Sequence, residues 1–195
     1  MKQKNKLTKP ITLIIVDCQY DFVKGNMAVN GATKAISNIV KFIIKYKKSI
    51  DKIIFTADWH PYDHCSFKKY RGKWPVHCVQ YSKGASIEEF LFNTVTSSNI
   101  PYDVMLKGIH KDKEEYGAFS IPPFSDILFD EYHECHINPD SDIVVCGIAG
   151  DYCVKETILN IQELEPRVFL DGVASIDDGS TIKTLIEKYN LNILE

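Results

Sequence analysis

The sequence predicts an α/β protein with a mostly parallel, doubly wound sheet and helices on both faces. Three observations carry this. Apolar runs of strand length, continuous rather than alternating, recur as Ile11–Val16, Lys52–Thr56, Tyr102–Leu106, residues 142–149 and Arg167–Leu170, which is the pattern of strands buried on both faces. Between them lie segments with apolar residues at helical spacing, and strands alternating with helices at these intervals imply right-handed βαβ units. Four of the runs close on chemistry, at Asp17, Asp58, Lys107 and the turn before Cys153. Ligands of such sheets bind outside the carboxyl ends of the strands, so these four ends point to one shared active site.

Taken in order, the run Ile11–Val16 stops at the acidic cluster Asp17-Cys18-Gln19-Tyr20-Asp21-Phe22 and delivers a carboxylate to its end. After Gly25 and Gly31, residues 32–48 place Ile36, Ile39, Val40, Ile43 and Ile44 on one helical face with lysines between them. The second strand closes on Asp58. About thirty residues without periodicity follow, long for a connection and rich in Trp, Tyr, Phe, His and Cys, the mark of a functional loop. Ser86–Phe92 predicts a helical turn, and the third strand ends on Lys107-Gly108. A polar loop, 110–122, leads through Pro122-Pro123 to a short helix at 125–133. The fourth strand then runs through Gly147 and Gly150 into a helix from Cys153 to about Leu164, with Asp151 as its N-cap or first-turn carboxylate. An amphipathic helix over Asp178–Tyr189 and a short strand at Leu191–Leu194 complete the chain.

At 195 residues, with 45% hydrophobic and 25% charged residues, the chain reads as one globular domain, 1–195. A formal charge of −3 offers no basic face for nucleic acid. No segment has the length of a membrane span, and Ile11–Val16 is too short for the core of a signal peptide. Six cysteines without a secretory signal read as reduced thiols, and the expected compartment is the cytoplasm.

Cys153, in the first turn of its helix, would sit beside the partial positive charge of a helix N-terminus, which favours a thiolate. The competing reading is a buried small hydrophobe. Asp58, His60, His64 and His77 put a carboxylate and three imidazoles within twenty residues, a density that suits zinc, iron or manganese. Cys65 and Cys78 rank below the histidines, since hard and borderline ligands with open positions better fit metal-activated water. His133, Cys135 and His136 read as solvated surface. An acid, a lysine and a cysteine converging on one pocket suggest nucleophilic acyl chemistry, whereas the chain has no GxSxG elbow, Walker loop or GxGxxG fingerprint.

At these positions the chain resembles the nicotinamidase/pyrazinamidase group of the isochorismatase-like hydrolases across nearly its whole length. The resemblance is carried by Asp17-x-Gln19-x-Asp21-Phe22, Asp58-Trp59-His60-Pro61-x-x-His64-x-Ser66-Phe67, Trp74-Pro75-x-His77-Cys78, Lys107-Gly108 and Gly147-x-Ala149-x-Asp151-Tyr152-Cys153-Val154. Isochorismatases share the fold and the strand-end aspartate but lack the metal segment.

The resemblance implies an isochorismatase-like hydrolase fold and hydrolysis of nicotinamide to nicotinate and ammonia, a step of NAD salvage. It implies Cys153 as nucleophile, Asp17 as base and Lys107 as the cation beside both. A cis Ile148–Ala149 peptide would let the amides of Ala149 and Cys153 form an oxyanion hole. Asp58, His60 and His77 are the implied core ligands of one divalent ion, zinc foremost with iron or manganese as alternatives, and His64 is a more variable fourth. In the family the metal takes the pyridine nitrogen and orients water, and Phe22, Trp74 and Tyr116 line the ring pocket. Two departures from the family pattern, Gly150 where many relatives have Thr and the loop Tyr116-Gly117-Ala118-Phe119 in place of YSxF, bear on ring substituents. The implied partner is a small heterocyclic amide, with room for a homo-oligomer. The alternatives are another hydrolase of the fold, acting on a different small amide or on a vinyl ether, and a non-catalytic metal- or ligand-binding relative.

Overall fold

Ile11–Val16 forms strand β1 with every side chain buried, because neighbours lie on both edges and both faces. The computed structural model describes residues 7–119, 137–138 and 140–194, and the expected helix at 125–133 and the His133, Cys135, His136 cluster lie outside them. The other strands are β2 (Ile50–Asp58), β3 (Tyr102–Lys107), β4 (Asp142–Ile148), β5 (Arg167–Ala174) and β6 (Ile193–Leu194). They form one sheet in the order β3-β2-β1-β4-β5-β6, parallel throughout. Successive strands step outward from β1 in one direction and from β4 in the other, so the switch in strand order falls between β1 and β4.

Alternate residues of each strand feed two cores. Leu13, Ile15, Ile53, Phe55, Val144 and Cys146 face the layer containing α2 (Ala32–Tyr46) and α3 (Glu89–Thr96). Ile14, Val16, Ile54, Ile143 and Val145 face α4 (Cys153–Asn160) and α5 (Ser180–Lys188). Burying each such side chain contributes about 1.5–3 kcal/mol, so both layers hold the sheet firmly. The α2 face differs from expectation at one edge. Ile44 is 65% exposed, because the buried stripe turns instead toward Phe42, whose ring lies 4.8 Å from Phe169 of β5. Among the described residues no helix is long and apolar enough to cross a membrane.

Two connections matter for the site. A single helical turn, α1 (Tyr20–Val23), follows β1 directly. The long segment between β2 and α3 is ordered by two 3₁₀ turns, Lys68–Tyr70 and Lys83–Ala85, and by bridges His60–Val79 and Phe67–Trp74.

Candidate active site

The carboxyl ends of β1, β2, β3 and β4 bring Asp17, Asp58, Lys107 and the Cys153 turn together, as the strand-end chemistry predicts. In-register pairing of β2 with β3 sets Asp58 opposite Lys107. Asp17 leaves β1 in the left-handed region, at φ 47°, a conformation that costs a non-glycine residue about 1–2 kcal/mol and turns the carboxylate inward. Thr56 of β2 donates its hydroxyl to Asp17 Oδ1 at 2.6 Å.

Lys107 is the hub. Its side chain is 2% exposed; Nζ lies 2.8 Å from Asp17 Oδ2, 3.6 Å from Cys153 Sγ, and against Asp58 Oδ1. Burial disfavours its charge, but Asp17, Asp58 and Cys153 around it outweigh that and hold it well above the usual lysine range. The Cys153 thiol is pushed well up by burial despite Lys107, with Asp17 and Asp58 adding to the rise. Burial thus works against the helix terminus at this sulfur. Asp17, which shares Lys107 with the thiol, is the carboxylate at this end of the site, and burial raises its own pKa despite Lys107.

The cysteine turn is built by Gly147, at φ 124°, where a β-carbon would fall 2.1 Å from Val16 O. The Ile148–Ala149 peptide is cis. Ala149 O accepts from the amides of Tyr152 and Val154, passing over that of Cys153. Asp151 is not the cap of α4; Tyr152 is the N-cap residue, and the Asp151 carboxylate accepts instead from Ile176 and Asp177 N–H, tying the turn to the segment after β5.

On the far side of Lys107 lie Asp58, His60 and His77, whose ligand atoms all fall within 4.8 Å of one another. Asp58 Oδ2 is 3.4 Å from His60 Nε2 and 3.6 Å from His77 Nε2. Two ligands about 2.1 Å from one tetrahedral ion stand about 3.4 Å apart, so the separations fit. His60 Nδ1 faces Gly108 O at 3.0 Å and His77 Nδ1 faces Pro75 O at 2.7 Å. A carbonyl only accepts, so each Nδ1 carries the proton and each Nε2 keeps a lone pair for a metal. Gly108, at φ 62°, is required here, because a β-carbon would fall 2.3 Å from the His60 ring.

His64 is not in this group of three. Its ring stacks on His60 at 4.1 Å, its Nδ1 pairs with the Ser66 hydroxyl at 2.7 Å, and its Nε2 with Lys113 O at 2.9 Å, so both nitrogens have protein partners. It falls instead in a second group with His60 and Glu114. Glu114, in the loop after β3, gives no signal in the sequence, where it is one of three acids in the charged run Lys111-Asp112-Lys113-Glu114-Glu115. Cys78 turns its thiol to Gly84 O, and neither it nor Cys65 joins either group. Cys18, Cys65, Cys78, Cys146 and Cys153 are all free thiols.

Gln19 and Asp21 hold the two sides together. Gln19 Nε2 donates to Asp58 O at 2.8 Å and to Ala85 O at 2.9 Å, while its Oε1 accepts from Asp58 N at 2.8 Å. Asp21 accepts from Cys78 N at 2.8 Å, which fixes the chain beside His77. Phe22 packs on the His77 ring at 5.5 Å, and Trp74 Nε1 donates to the Tyr116 hydroxyl at 3.2 Å. Tyr152, unforeseen, closes this aromatic wall at 5.0 Å from Trp74 and 5.4 Å from Tyr116.

Known proteins share this arrangement of strands. The chain is 28% identical to the nicotinamidase of Saccharomyces cerevisiae, over 94% of this chain and 99% of that protein. The structure resembles that of the pyrazinamidase of Pyrococcus horikoshii in complex with zinc, with a TM-score of 0.73 and 28% identity over 95% of this chain and 99% of the other. It also resembles PnC1 from L. infantum in complex with nicotinate, with a TM-score of 0.77 and 26% identity over 98% and 96% of the two chains. The family model described as the Isochorismatase domain matches residues 12–190, and the chain belongs to that family.

Proposed function

We propose that this chain is a metal-dependent amidase that converts nicotinamide and water to nicotinate and ammonia, acting as one hydrolase domain over residues 1–195. The observation that carries the reading is the buried Lys107 bridging an acid–thiol pair on one side and a three-ligand group on the other. Asp17 takes the Cys153 proton, and the sulfur attacks the amide carbon. Lys107 holds positive charge beside both while this happens. The amides of Ala149 and Cys153 face the oxyanion, and Asp17 returns the proton to nitrogen as the C–N bond breaks, leaving a thioester on Cys153. Water then adds with its proton passing to Asp17, and the C–S bond breaks to restore the thiol.

Asp58, His60 and His77 would hold the ion. A divalent ion there supplies a Lewis acid toward the ring nitrogen and lowers the pKa of water. Zinc fits the neutral Nε2 donors and the single carboxylate best. Phe22, Trp74, Tyr116 and Tyr152 orient the ring between the two halves. Relatives named as nicotinamidases support this substrate, and such a reaction feeds NAD salvage.

The test is ammonia release from nicotinamide by the protein as purified, after chelation, and after zinc is restored. Turnover that falls on chelation and returns with zinc is the expected result. Absence of turnover in the zinc-loaded protein, or full turnover without metal, overturns the proposal.

A further inference from the structure

Lys73 carries a charge that the proposed reaction does not use, at the seam between the metal segment and the cysteine turn. Its Nζ lies 4.6 Å from the centroid of the Trp74 ring and 4.4 Å from that of Tyr152, and it donates to the Tyr152 hydroxyl. Trp74 and Tyr152 meet edge to face, and Tyr116 joins them through the Trp74 N–H and its own ring contact. Three aromatic walls thus come from three separate segments, and one ammonium touches two of them. Lys73 remains exposed to solvent, so its other N–H groups are free to meet an arriving ligand. Tyr116 feels both Lys73, which lies against the aromatic wall, and Glu114, which groups with His60 and His64.

We propose that Lys73 is a specificity-determining residue at the mouth of the ring pocket, selecting neutral or anionic ring substituents and rejecting cationic ones. The inference rests on the function proposed above for the identity of the ring. A cation shared between two π faces is held in place more firmly than a free surface lysine, because each face attracts it and the hydroxyl fixes its direction. A substituent projecting from the ring past Trp74 meets that charge before it meets bulk water. Carboxylates gain from this contact, and ammonium groups lose.

The experiment compares nicotinamide with two series of ring-substituted analogues, carrying either a carboxylate or an aminomethyl group at the 5- or 6-position. Each is followed by ammonia release and, independently, by equilibrium quenching of tryptophan fluorescence in wild type, Lys73→Met, Lys73→Arg and Lys73→Glu. Wild type should prefer the carboxylate series by about tenfold or more, the size expected of one partly solvated charge contact. The difference should lie in KM rather than kcat. Lys73→Met should bring the two series close to parity, Lys73→Glu should reverse the order, and Lys73→Arg should restore it. A merely structural role would instead lower all substrates in proportion and leave their ratios unchanged, and that result overturns the proposal. The quenching arm separates the two hypotheses. Binding with Lys73-dependent charge selection but no ammonia release would sink the amidase reading alone, whereas turnover without charge selection would sink the Lys73 proposal alone. No binding of any of these rings would overturn both.

Discussion

Asp17 and Asp58 are two buried aspartates at the ends of adjacent parallel strands, and both touch the same lysine. Burial raises the pKa of each, yet the outcomes are opposite. Asp17 ends above the usual carboxylate value, and Asp58 is held well below it. The difference lies in the remaining partners. Asp58 has Lys107 and then the His60 and His77 rings, which favour its charge when Nε2 carries a proton, a place that a divalent ion would take. Asp17 has Lys107 and the Thr56 hydroxyl, and it also feels the negative charge of Asp58. One lysine cannot fully compensate two carboxylates, so the one with fewer other donors is left more basic. A base that must accept and return a proton is served by the first environment, and a fixed anionic ligand by the second.

The proposed division of labour can be broken most sharply at the cysteine side. Cys153→Ala should abolish nicotinamide turnover while leaving bound metal unchanged, since only the sulfur is removed. Asp17→Asn should cost about 100-fold or more in kcat, the usual size of general acid–base catalysis, again at full metal content. The measurement is turnover beside elemental analysis on the same preparations. If Asp17→Asn lost its metal, the two aspartates would not be doing separate jobs.

The opposite pattern is expected across Lys107. His77→Ala should lose most of its metal and, with it, most activity, while the fold survives on its two apolar cores and the melting temperature falls only by what one buried ring packed on Phe22 contributes. His64→Ala makes a finer comparison. With both its nitrogens engaged by Ser66 and Lys113, it should weaken zinc by less than about tenfold in a chelator competition, the low end of what outer-shell partners contribute. Equal losses in the two variants would restore His64 to the ligand set that the family resemblance implies.

Much of this was legible in the chain. β1 has the bounds expected of it because burial on both faces keeps the run apolar but for Thr12, and charge begins at once with Asp17. β5 runs on to Ala174, past the expected Leu170, because the pairing with β4 shifts register and absorbs Asp171 and Gly172. α1 is one turn long and hides inside the acidic cluster, where no periodicity can develop. Strand ends announced Asp17, Asp58 and Lys107, since charge at the end of an apolar run is unusual in a one-dimensional pattern. The work of Gln19 and Asp21 could not be read that way. Their partners, Asp58, Ala85 and Cys78, lie far along the chain, and only folding shows that the motif after β1 clamps the metal segment.

The comparison predicts more widely that partners, not burial, decide the charge of a carboxylate here, and Glu88 tests this away from the lysine hub. Glu88 is 6% exposed, yet its pKa is lowered. Burial opposes the shift, but Lys24 sits 2.9 Å from Oε1 and the Leu91 N–H donates to Oε2 at 3.0 Å, capping α3. A folded-state pKa below the unfolded value means that the carboxylate stabilises the fold above the ordinary value of 4.5 and that this contribution is lost as pH falls through the folded value. Glu88→Gln keeps the shape and removes the charge. It should cost about 1 kcal/mol near neutral pH, the usual worth of a helix cap, with nicotinamide turnover at saturating substrate unaltered. Denaturant titrations of both proteins from pH 7 downward should show the gap closing as wild-type Glu88 takes up its proton. A gap that stayed constant through that range would mean that Glu88 stabilises α3 by shape alone, and that the reasoning applied to Asp17 and Asp58 does not extend beyond their shared lysine.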